Sequence, residues 1–290
     1  MNNYYFIVNP ASGRGKGKVL GHRLRQKLMK LGLDHELVFT DKKWHAVDLA
    51  AKAADKYKIV VAVGGDGTVH EVVNGLVGTQ AIFGVVPVGS GNDFVHAAGI
   101  PTDFNQALDI LLAGNQKYID VGKANDRYFP NGLGVGFDAW VVNTSFSVTK
   151  LRGNAIYLYS VLRNLITYKP VEIEIRFNGT VRTEDFFMLT FGNGVSMGGG
   201  FHLTPDAVLD DGLIDLCLVQ NMSLSAKLKN LLLVYSGKHK DDPKVTMDRA
   251  DKVQLRSEKG FAVHADGELM SLNMKELNIE IIPNALRIIS

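Results

Sequence analysis

The sequence is short of several things. It carries a single cysteine, Cys217, which excludes a disulfide framework and a cysteine-based zinc site and fits a reducing cytosol. No apolar run approaches the ~18 residues that a membrane span needs. Tyr4-Tyr5-Phe6-Ile7-Val8 is too short before Asn9-Pro10 to be a signal-peptide core. The eight histidines include no H-E-x-x-H, and Gly15-Lys16-Gly17-Lys18-Val19 lacks the hydroxyl residue that a Walker A loop needs after its lysine. Acidic residues are absent before Asp34, where Arg14, Lys16, Lys18, Arg23, Arg25, Lys27 and Lys30 stand. Such a block is a solvated helix face, or it attracts phosphates or an anionic membrane. The chain has 290 residues, 46% apolar and 21% charged, with net charge +2. That supports one large or two ordinary globular domains of a soluble, cytoplasmic protein.

Apolar periodicity divides the chain near residue 122. Tyr4–Val8 is a short apolar run, and Leu20, Leu24, Leu28 and Leu31 recur at helical spacing before Gly32, a C-cap residue. His35–Phe39, Ile59–Val63, Ile82–Val86 and Tyr118–Val121 read as strands, Lys43–Lys56 and Asp103–Ala113 as helices. Thr68 and Glu71 form a T-x-x-E capping box that starts a further helix, with Thr68 as N-cap and Val69, Val72, Val73 and Leu76 on one face. Strands buried on both faces and alternating with helices predict a covered parallel sheet. Later runs are of short-strand type: Val171–Phe177, Phe186–Phe191, Leu213–Val219, Val253–Arg256, Phe261–Ala265, Leu269–Leu272 and Leu277–Ile282. Asn178-Gly179 signals a hairpin, and helices over Asn154–Thr167 and Leu224–Val234 interrupt the strands. The expected fold is α/β plus β. An N-terminal parallel-sheet domain covers residues 1–121, with the tail 283–290 as a candidate addition, and a β-rich, sandwich-like domain covers 122–282.

Glycine marks the chemistry. Three glycine-bearing loops follow predicted strands: Asn9–Gly15, Gly64–Thr68 and Pro87–Phe94. In an open parallel sheet all three fall at the carboxyl edge, where ligands bind. Glycine lets backbone N–H groups approach an anion, and a helix N-terminus adds partial positive charge. Asp66 and Asp93 would repel phosphate unless a divalent cation stands between them, as in phosphoryl transfer.

Two other motifs compete. Gly134-Val135-Gly136-Phe137-Asp138-Ala139 imitates a dinucleotide fingerprint, but no acidic residue lies between Asp138 and Glu172 to take the ribose. It reads as a packing or substrate-pocket loop. Gly194-Val195-Ser196-Met197-Gly198 matches a hydrolase nucleophile elbow, with Asp206 or Asp210 and His239 or His264 following in order. The elbow needs strand–turn–helix, and Gly198-Gly199-Gly200 before Pro205 does not open a helix.

The three loops, with Asn74-Gly75, Gly192-Asn193-Gly194, Gly198–Gly200, Asp210–Asp215 and Asp266-Gly267-Glu268 after them, resemble the diacylglycerol kinase catalytic-domain family of lipid kinases. The likeness runs along nearly the whole chain. The Gly-Gly-Asp-Gly-Thr loop alone is shared with NAD kinases and phosphofructokinases; the ordered set is specific. The resemblance implies ATP binding by Asn9, Pro10, Ala11, Ser12 and Gly13, by Thr40, by Gly65, Asp66, Gly67, Thr68, Val69, His70 and Glu71, and by Ser90. It implies a magnesium site from the Asp211 carboxylate and the carbonyls of Val208 and Leu213, where some relatives have Asp at the position of Val208. Glu268 matches the general base, and Asp66, Asp93 and Asp120 match an acidic network near the reacting phosphate. His96 stands where relatives often have Arg, and His70 where they often have Asn. Without the resemblance, Asp266-Gly267 is a hairpin turn, and the weight on Glu268 and Asp211 comes from the resemblance alone.

The expected protein is a lipid kinase using ATP and Mg2+, with Glu268 taking the proton of a lipid hydroxyl, diacylglycerol first. Magnesium, the loop amides and Lys16 would carry the developing charge. Its partner would be a lipid at an anionic membrane surface, bound peripherally, with no nucleic acid and with a homodimer among the allowed assemblies. The alternatives are an NAD or sugar kinase, a non-catalytic nucleotide-binding regulator, and the serine hydrolase.

Overall fold

A computed structural model describes residues 2–148 and 154–290. Five strands and five helices build the first half: β1 (Asn2–Val8), α1 (Lys16–Lys30), β2 (His35–Phe39), α2 (His45–Ala54), β3 (Tyr57–Gly64), α3 (Asp66–Leu76), β4 (Ile82–Pro87), α4 (Asp93–Ala97), α5 (Phe104–Ala113) and β5 (Gln116–Ala124). β4, β3, β1 and β2 pair in parallel in that order. Alternate residues point to opposite faces, and both faces are buried. Tyr5, Ile7, Val60, Ala62 and Phe83 meet α2 and α3, while Phe6, Val8, Val61, Val63 and Val86 meet Leu24 and Leu28 of α1 and Leu108 and Leu111 of α5. The first four apolar runs therefore do form a covered parallel sheet; Tyr118–Val121 does not join it in parallel but lies in β5, antiparallel to the last strand of the chain.

The second half continues with β6 (Arg127–Phe129), β7 (Gly132–Gly136), α6 (Phe137–Ser147), α7 (Asn154–Thr167), β8 (Val171–Phe177), β9 (Thr180–Gly192), β10 (Ile214–Gln220), α8 (Leu224–Leu233), β11 (Val245–Ala250), β12 (Lys252–Ala265) and β13 (Glu268–Ile289). Its antiparallel strands enclose a core of Phe129, Ile173, Phe186, Phe191, Leu216, Phe261 and Val263. The hairpin at Asn178-Gly179 forms, with both residues at positive φ (48° and 74°) as a type I′ turn requires.

Three local expectations are corrected. Thr68 is not an N-cap: α3 opens at Asp66 with Gly65 before it, and Glu71 reaches across to accept the N–H of Ala46 on α2. Gly134–Ala139 is not a loop but the end of β7 and the start of α6. The chain turns at Gly136 (φ 89°), where any Cβ would stand 2.9 Å from the Tyr168 hydroxyl and 3.0 Å from a Phe187 carbonyl. Leu269–Leu272 and Leu277–Ile282 are parts of the single 22-residue β13. That strand runs through both halves, pairing with β12, then β5, and finally in parallel with β4 at Arg287 and Ile288.

Candidate active site

Three strand ends meet at the carboxyl edge of the parallel sheet. After β1, the Asn9 carboxamide accepts the N–H of Ala11 at 3.0 Å and donates to the Thr68 hydroxyl at 3.1 Å. The Ser12 hydroxyl lies 3.4 Å from that of Thr68. The first loop is thus fastened to the first turn of α3, which explains why Thr68 does not cap it. The second and third loops touch through glycine, since a Cβ on Gly89 would lie 2.7 Å from the Cα of Gly65. Asp66 Oδ2 accepts the N–H of Asn92 at 2.8 Å. Thr40, after β2, donates its N–H to the Val8 carbonyl at this same edge.

Asp66 and Asp93 have different surroundings. Both oxygens of Asp93 are occupied: Oδ1 accepts from the Ser196 hydroxyl and the N–H of Gly200, and Oδ2 from the N–H of Gly199. Asp93 holds the Gly198–Gly200 turn of the second half against the third loop. Ser196 is therefore a donor to a carboxylate; no helix follows it, and the nucleophile-elbow reading fails on geometry. Asp66 keeps one oxygen, Oδ1, buried and without a partner. Burial first, and the charge of Asp93 second, push its carboxyl up to about 6, against the Asn92 N–H that lowers it. Asp120 is engaged by backbone donors of its own. Its oxygens accept the N–H groups of Gly212 and Asn284, so it ties loops together.

The Asp266-Gly267 hairpin brings the second half onto α3. Asp266 Oδ1 accepts the N–H groups of Asn131 and Gly132, while Oδ2 stands 2.8 Å from His70 Nδ1. His70 is wholly buried and holds this turn, and His96 is exposed. Next in the chain, Glu268 turns its carboxylate to Gly67, where a Cβ would lie 3.0 Å from Oε1, and to the Lys43 ammonium 2.5 Å from Oε2. Lys43 and Asn131 carry no motif in the sequence, whereas Asn193, which donates to the Asp120 and Pro130 carbonyls, lies in the Gly192-Asn193-Gly194 motif.

Between the halves lies a cavity of about 850 Å³. Arg14, Asp66, Ser90 and Asp93 line its polar end, and Phe146, Leu158, Val161, Phe201, Leu231 and Tyr235 its apolar end. An anion at the glycine loops and an apolar chain under α7 and α8 can share it. Lys16 is exposed at the start of α1. Elsewhere in the basic block Arg25 donates to the Leu37 carbonyl, Lys27 to Asn105, and Arg23 stacks on Phe104.

Of the residues expected to hold a magnesium ion, Asp211 has other partners near both carboxylate oxygens. Asp211 Oδ1 accepts the N–H of Leu213, and Oδ2 faces the Arg249 guanidinium at 3.6 Å. Arg249 also meets Asp215 at 3.1 Å and the Asp206 carbonyl at 2.7 Å, and Lys240 pairs with Asp206. Among the described residues no group of three or more His, Cys, Asp or Glu is arranged to hold a metal. Without nucleotide, chelator should leave the melting temperature of this protein unchanged. Arg249→Met should lower stability by about 1–3 kcal/mol, because the buried Asp215 loses its partner. Unfolding curves with and without EDTA check both statements.

Residues 3–124 match the family model described as diacylglycerol kinase catalytic domain. Residues 132–290 match one described as YegS C-terminal NAD kinase beta sandwich-like domain. A diacylglycerol kinase of Staphylococcus saprophyticus is 31% identical, over 97% of this chain and 95% of that protein. One of Staphylococcus aureus is 33% identical over 90% of this chain and 84% of its own. A crystal structure of a diacylglycerol kinase from Bacillus anthracis superposes with a TM-score of 0.80 at 23% identity, covering 99% of this chain and 96% of that one, and shares the fold.

Proposed function

Since the chain belongs to the diacylglycerol kinase catalytic-domain family and is a lipid kinase, we propose that it transfers the γ-phosphoryl group of ATP to the hydroxyl of diacylglycerol, forming phosphatidic acid. The observation that carries this reading is the cavity, which joins the glycine loops at Asp66 to an apolar end under α7 and α8. A water-soluble acceptor such as NAD or a sugar has no use for that end, which counts against the NAD- and sugar-kinase readings.

In this reading the loop amides and the N-terminus of α3 bind the phosphates. The unpartnered Asp66 oxygen is the protein atom that fits the magnesium ion carried by the nucleotide, which supplies positive charge to the phosphates. Glu268 takes the proton of the lipid hydroxyl as its oxygen attacks the γ-phosphorus. The His70–Asp266 pair and the two backbone donors to Asp266 hold the hairpin that carries Glu268. ADP release tests the proposal: ATP with diacylglycerol in mixed micelles should release ADP, and NAD or monosaccharides in its place should not. ADP release with NAD instead would overturn it.

The lipid must come from a membrane. Among the described residues no helix is long and apolar enough to cross one. Two helices nonetheless carry exposed apolar stripes at i, i+4, i+8. They are Leu158, Leu162 and Ile166 on α7 and Leu224, Leu228 and Leu232 on α8, with Ile166 and Leu232 each 76% exposed. Leu158 and Leu232 also line the cavity, and the only charged residues of the two helices are Arg163, Lys227 and Lys229. An apolar face with only positive charge beside it suits an anionic bilayer, where each buried leucine contributes about 1.5–3 kcal/mol. Leu232→Glu should therefore lower co-sedimentation with anionic vesicles about tenfold or more while the protein stays folded. Binding equal to wild type would mean that this face is not the one that docks.

A further inference from the structure

We propose that Lys43 is a further catalytic residue, which exchanges its ion pair with Glu268 for the terminal phosphate of the nucleotide. It sits in the β2–α2 connection, outside all three glycine loops. Its ammonium stands 2.5 Å from Glu268 Oε2, and the other oxygen of that carboxylate faces Gly67 in the first turn of α3. A lysine there is within reach of an anion seated on the glycine loop.

The connection is built to aim it. Trp44, the next residue, is held at φ 67°, a left-handed conformation that costs a non-glycine residue energy. The Arg127 guanidinium lies 4.6 Å over its ring, and the His70 ring meets it edge-on at 5.7 Å. Lys43 itself lies 5.7 Å from the ring of Phe146, which lines the cavity. A lysine pinned by its neighbour, between the carboxylate and the cavity rim, is placed for both.

Stability does not explain the pair. The Lys43 side chain is 55% exposed and that of Glu268 19%; with one partner in water the pair adds little to the fold, and Oε2 accepts no hydrogen bond of good geometry. Chemistry gives it a use. The ammonium occupies one oxygen of the carboxylate, and the terminal phosphate of ATP, with its greater negative charge, competes for the same ammonium. Arrival of that phosphate draws Lys43 away, frees Glu268 for the lipid hydroxyl and neutralises charge on the transferred group. Glu268 then acts only when ATP is in place.

This rests on the nucleotide and Glu268 roles proposed above, so the test reads nucleotide binding without lipid. Calorimetry on Lys43→Met should show ATP bound about tenfold more weakly than by wild type, with ADP within about twofold. Lys43→Arg should restore most of the loss, since it keeps the charge. ATP and ADP weakened together, or neither weakened, overturns the role of Lys43 and leaves the kinase reading standing. A wild-type protein that binds neither nucleotide overturns the kinase reading itself, and this role with it.

Discussion

Glu268→Gln should lower kcat for lipid phosphorylation by about 10²–10⁴-fold, the usual loss when a general base is removed. Gln keeps the size of the side chain and leaves the Asp266-Gly267 turn alone, and that turn is held by Asn131, Gly132 and His70 rather than by Glu268. The fold should therefore not change. The other proposed nucleotide contacts lie on the glycine loops, and loss of the carboxylate only releases Lys43, so the KM for ATP should not rise above that of wild type. Glu268→Asp should recover part of the rate only if a water molecule spans the shortened reach. Steady-state kinetics with both substrates varied separates these terms. A Glu268→Gln enzyme with nearly full kcat would make Glu268 a strand residue, and Asp66 would become the better base.

Asp66→Asn should move activity and stability in opposite directions. Activity should fall by at least about 10²-fold, because the carboxylate that fits the nucleotide's magnesium ion is gone. Stability should rise. Asp66 titrates at about 6 in the fold against 3.8 for the free group, mainly because burial disfavours its charge. The neutral form is the one the fold prefers. Wild type has the associated stability in full below pH 3.8 and loses it as pH rises through about 6. Asn, neutral throughout and still able to accept from Asn92, never loses it. The gap between variant and wild type should be on the order of 2–3 kcal/mol at about pH 8 and should close towards about pH 4. The kcat/KM of wild type should correspondingly fall below about pH 6, where Asp66 takes up its proton. Urea unfolding at both pH values checks the first point. A variant less stable than wild type at the higher pH would show that the Asp66 charge is satisfied inside the fold.

Local rules made much of this legible. Glycine loops after buried strands follow from where a parallel sheet can bind anions, and Asn178-Gly179 and Asp266-Gly267 from what a two-residue hairpin demands; all form as read. The failures share one cause, a partner far away in the chain. The helix carrying Thr68 begins three residues early, with the Thr68 hydroxyl bonded to Asn9 and the Glu71 carboxylate to α2. The turn into α6 depends on Tyr168 and Phe187 leaving no room for a Cβ at Gly136. Asp66 and Asp93 look alike in sequence. Only the three donors from residues 196–200 show that one is structural and the other has a free oxygen. Asp211 meets Arg249 of β11, a partner that its own loop does not indicate. The leucine spacing on α7 and α8 was visible in the sequence, but periodicity cannot say which face of a helix the fold leaves open.

The central claim is that one cleft joins a nucleotide on the Asp66 loop to a lipid hydroxyl near Glu268. The most direct test offers γ-labelled ATP to the purified protein with diacylglycerol, another lipid alcohol, NAD and a monosaccharide together, and separates the labelled products. The account predicts label in phosphatidic acid first, with NAD and sugar unlabelled. Label in NAD or in the sugar, or hydrolysis to labelled phosphate with no lipid product, would contradict it.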